Sequence, residues 1–183
     1  MRSIFKMPSA ELAGVALRRV PLPWRRKANA FRRAGRSRQA ARANTLERRE
    51  RFMKILLAED DFASRKFMSN YLGKYGDCDI TVDGEEAVDA FLMALEDGEP
   101  YDLICLDVMM PVLDGYQALK AIRDIEKERG IQGKDGVKII MTTALNEERN
   151  VKKAFEMGCT VYSGKPIDLD KFEKILKKLE LIK

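Results

Sequence analysis

Five times after residue 52, a short apolar run is followed by a longer stretch of helical periodicity, and that alternation restricts the fold more than any other feature of the chain. The runs are 54–58 (KILLA), 78–81 (CDIT), 102–106 (DLICL), 137–141 (VKIIM) and 160–163 (TVYS). The first, third and fourth are continuous and rich in Ile, Leu and Val, as strands buried on both faces of a parallel sheet require. The second and fifth are shorter and less apolar, which places them nearer the sheet edges. Between the runs, 63–74 puts Phe67, Met68, Tyr71 and Leu72 on one helical face, and 85–95 does the same with Ala87, Val88, Phe91 and Leu95. Helices over 116–129, 147–157 and 169–181 complete five, with Gly130 and Gly158 set to end the third and fourth. The expected architecture is therefore (βα) repeated five times. Right-handed crossovers with helices on both faces give an open, doubly wound α/β sheet whose functional residues gather at the carboxyl ends of the strands.

Composition narrows the chemistry. The 183 residues allow one domain of ordinary size with some sequence left over, and no apolar run approaches the roughly 18 residues that a membrane span needs. Cys78, Cys105 and Cys159 are widely spaced in apolar surroundings, and they read as reduced core residues rather than a disulfide framework or a metal site. Histidine is absent, so any chemistry must run on carboxylates, hydroxyls and amines. The net charge of +5 conceals a division: residues 1–52 carry 15 Lys and Arg against Glu11, Glu47 and Glu50, leaving +12 there and −7 on the remainder.

Acidic and polar residues stand at the expected strand ends: Glu59, Asp60 and Asp61 after the first, Asp107 after the third, Thr143 after the fourth and Lys165 after the fifth. If the first and third strands are neighbours, Glu59, Asp60 and Asp107 converge, and their like charges call for a cation. An all-oxygen site without His or Cys favours magnesium over zinc. Read singly, each residue has a plainer explanation. The acids can form a solvated turn, and Asp107 a strand-end cap. Thr143, beside Thr142, can lend a hydroxyl to a helix N-terminus; Lys165 can be a surface lysine and Tyr162 inert packing. Asp114-Gly115 reads as turn chemistry and the start of a helix.

Four segments in order, the acids of ILLAEDD, the aspartate of LICLDVMMPVLDG, Thr143-Ala144 in IIMTTAL and Lys165-Pro166 in YSGKPID, resemble the receiver domains of bacterial two-component response regulators. The resemblance covers nearly all of 53–183. It implies a flavodoxin-like five-stranded sheet of order 2-1-3-4-5, with Asp107 as phosphoacceptor and Lys165 and Thr143 assisting. It further implies that Glu59, Asp60, Asp107 and the Met109 backbone carbonyl hold Mg2+ or Mn2+. A cis Lys165-Pro166 bond belongs to the same pattern, as does a switch in which Thr143 is drawn inward and Tyr162 follows. The implied phosphoryl donor is a sensor histidine kinase or histidine phosphotransfer protein, the output a separate, unknown partner protein, the location cytoplasmic without membrane insertion. On this reading the chain is a phosphoacceptor switch and not an enzyme in the ordinary sense. Met109 and Leu145, two residues beyond Asp107 and Thr143, are expected to shield the acyl phosphate from water.

Residues 1–52, Arg-rich with interleaved Trp24 and Phe31, read in two ways. A basic, disordered arm of this kind docks on nucleic acid or anionic lipid. The preferred expectation is a mis-assigned start: the family pattern begins at Met53-Lys54-Ile55, the composition breaks there, and translation is expected to begin at Met53. No output domain is expected after Lys183. A haloacid-dehalogenase-like phosphatase, the competing enzyme class, needs a second acid where Met109 stands. A module that had lost phosphorylation would lack an acid, Thr143 or Lys165, and all are present.

Overall fold

Parallel strands buried on both faces come from the continuous apolar runs. In the computed structural model, which describes residues 52–131, 133–144 and 148–183, five strands alternate with five helices among the described residues. They are β1 (Met53–Ala58), α1 (Phe62–Leu72), β2 (Gly76–Thr81), α2 (Gly84–Glu96) and β3 (Leu103–Asp107). Then follow α3 (Gly115–Glu128), a 3-10 turn at Gly133–Asp135, β4 (Lys138–Thr143), α4 (Glu148–Glu156), β5 (Val161–Gly164) and α5 (Leu169–Lys178). The strands form one parallel sheet in the order β2-β1-β3-β4-β5, so the two less apolar runs are indeed its edges.

The alternation of side chains along the central strands divides the interior in two. Leu56, Ala58, Ile104, Leu106, Ile139 and Met141 face a core shared with α2, α3 and Ala154 of α4. Ile55, Leu57, Leu103, Cys105 and Ile140 face the other, closed by Met68, Tyr71 and Leu72 of α1 and Phe172 and Leu176 of α5. Each fully buried Ile, Leu or Phe contributes about 1.5–3 kcal/mol of transfer free energy, which is why the central strands, past Lys54 near the start of β1 and Lys138 at the start of β4, carry no polar residue until their carboxyl ends. Phe67, expected on the buried face of α1, is instead half exposed, because Met68, Tyr71 and Leu72 alone fill the stripe over β1.

Four helices open on aspartate caps that accept backbone N–H groups: Asp61 from Ser64, Asp83 from Glu86, Asp114 from Gln117, and Asp168 from Asp170 and Lys171. Gly130 and Gly158 lie just past α3 and α4 with φ of +75° and +93°, the left-handed geometry that ends a helix. No helix among the described residues is long and apolar enough to cross a membrane. Residues 1–51, 132 and 145–147 lie outside the described residues, and with them the expectations for the basic segment and for shielding by Leu145.

Candidate functional site

Register at the carboxyl edge sets the site. Ala58 pairs with Leu106 and Asp107 with Thr142, so the residue after β1 and the last residues of β3 and β4 reach the same level. The segment after β5 joins them, since the Lys165 amide donates to the Thr143 carbonyl at 2.7 Å and the Val108 amide to that of Thr142 at 3.0 Å. Strand β3 runs one residue further than expected and β4 two, which makes Asp107 and Thr143 the closing residues of paired strands rather than loop residues.

Glu59, Asp60 and Asp107 each offer a carboxylate oxygen within 4.8 Å of the others. Glu59 is 1% exposed and Asp107 4%, whereas Asp60 faces solvent. The Lys165 ammonium stands 2.9 and 2.7 Å from the two Glu59 oxygens and 3.0 Å from Oδ2 of Asp107. The Lys165-Pro166 peptide is cis. One cation is thus shared by two buried acids with a third alongside. Burial, reinforced by the nearby Asp107, raises the Glu59 carboxyl above the ordinary glutamate range despite its bonds to Lys165. Burial also pulls on the Lys165 ammonium, yet its bonds to Glu59 and Asp107 prevail and raise it. The Lys165 shift reflects the two acids around it, and the Glu59 shift chiefly its burial beside Asp107. Two buried carboxylates, a third within reach and an all-oxygen donor set suit a hard divalent cation such as magnesium.

Asp61 does not join this cluster. It caps α1, and the N–H of Ser64 holds its carboxyl below the usual range. Thr143 is fully buried at the end of β4. Met109, two residues beyond Asp107, has its side chain 60% exposed. Tyr162 lies on β5 opposite Met141, partly buried against the α3 side of the core, with its hydroxyl close to that of Tyr116. Tyr116 in turn donates to the Asn150 carbonyl of α4 at 3.3 Å, and burial pushes its phenol up.

Three contributors escaped sequence reasoning. Gly115, the first residue of α3, packs so closely on the end of β3 that a Cβ there would sit 2.1 Å from the Asp107 carbonyl oxygen. Its amide donates to the Val108 carbonyl, tying α3 to the strand end. Arg65, in the first turn of α1, donates from Nη1 to the carbonyls of Glu59 and Asp60, both at 2.9 Å. Tyr116, the first residue of the expected third helix, gives no hint in the sequence of its link to Tyr162 and α4. The Asp-Gly pair was the available signal for Gly115; nothing in the sequence marks Arg65 off from any helix-face cation.

A doubly wound α/β domain with an acidic crevice at the carboxyl edge and one lysine closing it defines a narrow class. A family model described as the response regulator receiver domain matches residues 55–177, and the chain belongs to that family. Its members are phosphoacceptor switches rather than enzymes of the ordinary kind. Two-component response regulator 24 of Arabidopsis thaliana is 33% identical over 125 residues, which cover 68% of this chain and 81% of the relative. Probable histidine kinase 2 of Oryza sativa subsp. indica is 33% identical over 126 residues, but these cover 63% of this chain and only 12% of that much longer protein. Among solved structures, the co-crystal of the Saccharomyces cerevisiae histidine phosphotransfer signaling protein Ypd1 with the receiver domain of its downstream response regulator Ssk1 is similar, with 29% identity and a TM-score of 0.61. The match covers 70% of this chain and 89% of that one.

Proposed function

We propose that the unit formed by residues 53–183 accepts a phosphoryl group on Asp107 from a histidine kinase or histidine phosphotransfer protein and passes the signal to a separate partner protein. One observation carries this reading: a single ammonium, that of Lys165, is shared by Glu59 and Asp107 while Asp60 completes a carboxylate cluster around them. In the transfer, an Asp107 oxygen attacks phosphorus, an O–P bond forms, and the P–N bond to the donor imidazole breaks. Glu59, Asp60, Asp107 and the Met109 carbonyl would hold Mg2+ or Mn2+, which when bound supplies positive charge to the phosphoryl oxygens. Lys165 binds another of those oxygens, and the Thr143 hydroxyl donates to a third.

The added phosphoryl group brings roughly −1.5 to −2 charges beside Thr143. Drawing that hydroxyl inward opens space behind it, and Tyr162 turns toward the space, altering the face made by α4, β5 and α5. The proximity of the Tyr162 and Tyr116 hydroxyls, and the hydrogen bond from Tyr116 to the Asn150 carbonyl of α4, support that route. Partners of this kind are supported by the Ypd1 and Ssk1 complex, in which a phosphotransfer protein meets a receiver. Incubation with a radiolabelled phosphohistidine donor and Mg2+ tests the proposal. A hydroxylamine-sensitive label lost in Asp107→Asn is expected; a label resistant to hydroxylamine, or located on another residue, overturns it.

A further inference from the structure

Arg65 is oddly placed for a surface cation. It stands in the first turn of α1, four residues past the Asp61 cap, where the positive end of the helix dipole disfavours a positive side chain. Among the described residues it forms no ion pair with an acid that would offset this. Its guanidinium spends its hydrogen bonds on backbone instead: Nη1 serves the carbonyls of Glu59 and Asp60 at 2.9 Å each, and the group lies 5.6 Å from the centroid of the Phe62 ring, which holds it in place. Two consecutive carbonyls aimed at one nitrogen require the backbone to curve around it. That fixes both peptide planes and, through them, the directions in which the Glu59 and Asp60 side chains leave the chain. Glu59 is held again at its tip by Lys165, but Asp60 is exposed and its orientation depends on the backbone beneath it.

We propose that Arg65 is a positioning residue for the cation site: it curves the Glu59-Asp60 segment so that both carboxylates meet that of Asp107. This rests on the metal reading above. Its sign sets it apart from simple electrostatics, because removing a positive charge near a cation site should tighten cation binding, whereas removing a positioning group weakens it.

Calorimetric titration of the unphosphorylated full chain with MgCl2 provides the readout, independent of any phosphoryl transfer. Arg65→Met is expected to weaken Mg2+ binding about tenfold or more, the range seen when groups supporting metal ligands are lost. Lys66→Met, which removes the neighbouring exposed cation, is expected to leave affinity unchanged or slightly tighter. Phe62→Ala alters no charge and removes an exposed ring, so it tests the same clamp even should Arg65→Met fail to fold; a loss of about threefold is expected. Affinity in Arg65→Met equal to or tighter than that of the parent protein, or unchanged affinity in Phe62→Ala where Arg65→Met does not fold, overturns the proposal. A parent protein that binds no Mg2+ overturns the metal reading itself, and this inference with it.

Discussion

Two buried glutamates sit at opposite ends of this sheet, and they have opposite meanings. Glu126 of α3, 4% exposed, gives one carboxylate oxygen to Nη1 of Arg123 and accepts the Val137 amide on the other at 2.7 Å. Arg123 spends its remaining donors on the carbonyls of Gly158 at 2.9 Å and Val137 at 3.0 Å, so α3, the start of β4 and the end of α4 are tied together. One acid faces one base and both are bonded to backbone. Glu59, 1% exposed, shares its cation with Asp107 and has Asp60 beside it, so three acids face one base. Burial of an acid therefore does not by itself make a site. The imbalance of charge does, because a pocket short of one or two positive charges is a pocket that binds them.

Neutralising each glutamate in turn separates the two most sharply. Glu126→Gln leaves the partly buried Arg123 charge uncompensated and is expected to cost about 2–3 kcal/mol in urea unfolding, with Mg2+ affinity unchanged. Glu59→Gln relieves repulsion with Asp107, so its unfolding free energy should stay within about 1 kcal/mol of the parent. Its Mg2+ affinity should fall at least tenfold. Equal destabilisation by both would erase the distinction.

A pair of glycines extends the test to packing. Gly115→Ala pushes a methyl into the Asp107 carbonyl, at 2.1 Å from its oxygen, and is expected to cost about 1–3 kcal/mol and to slow phosphoryl acceptance. Gly136→Ala at the other end meets only side-chain atoms of Arg123 and Glu126, at 3.3 Å, and should cost less than about 1 kcal/mol without affecting acceptance. Chemical denaturation and a phosphorylation time course measure both.

The strands at the centre of the sheet were legible in the sequence because a strand buried on both faces needs a continuous apolar run, as ILLA, LICL and IIM supply within KILLA, DLICL and VKIIM. Edges were legible for the converse reason. Gathering of Glu59, Asp60, Asp107 and Lys165 followed once β1 and β3 were neighbours, since strand ends in a parallel sheet share one side. What stayed hidden lies in contacts that cross between elements without periodicity. Arg65 reaching back to two carbonyls, Arg123 spanning to Gly158 and Tyr116 bonding the Asn150 carbonyl are helix side chains whose partners nothing in the local sequence names. Phe67 illustrates the reverse error: an apolar residue at helical spacing was assigned to the core, and the stripe over β1 was already full.

Two smaller effects refine the comparison. Tyr116→Phe removes the hydroxyl between Tyr162 and Asn150 and should cost about 1 kcal/mol while leaving the extent of phosphorylation unchanged. Asp168, an exposed acid that accepts the Asp170 and Lys171 amides and pairs with the Lys171 ammonium at 3.2 Å, has its carboxyl held below the ordinary range, first by the Lys171 N–H. Its contribution is present above the unfolded aspartate value and is lost as pH falls through the depressed one. The difference in urea midpoint between the parent protein and Asp168→Ala should therefore be constant near neutral pH and shrink only below the ordinary aspartate range.

Acetyl phosphate, added with and without Mg2+ and followed by intact-protein mass spectrometry, tests the central claim without any partner protein. The charge-deficient crevice predicts one phosphoryl adduct, dependent on Mg2+ and absent from Asp107→Asn. No adduct on the parent protein, or an equal adduct on Asp107→Asn, would contradict it.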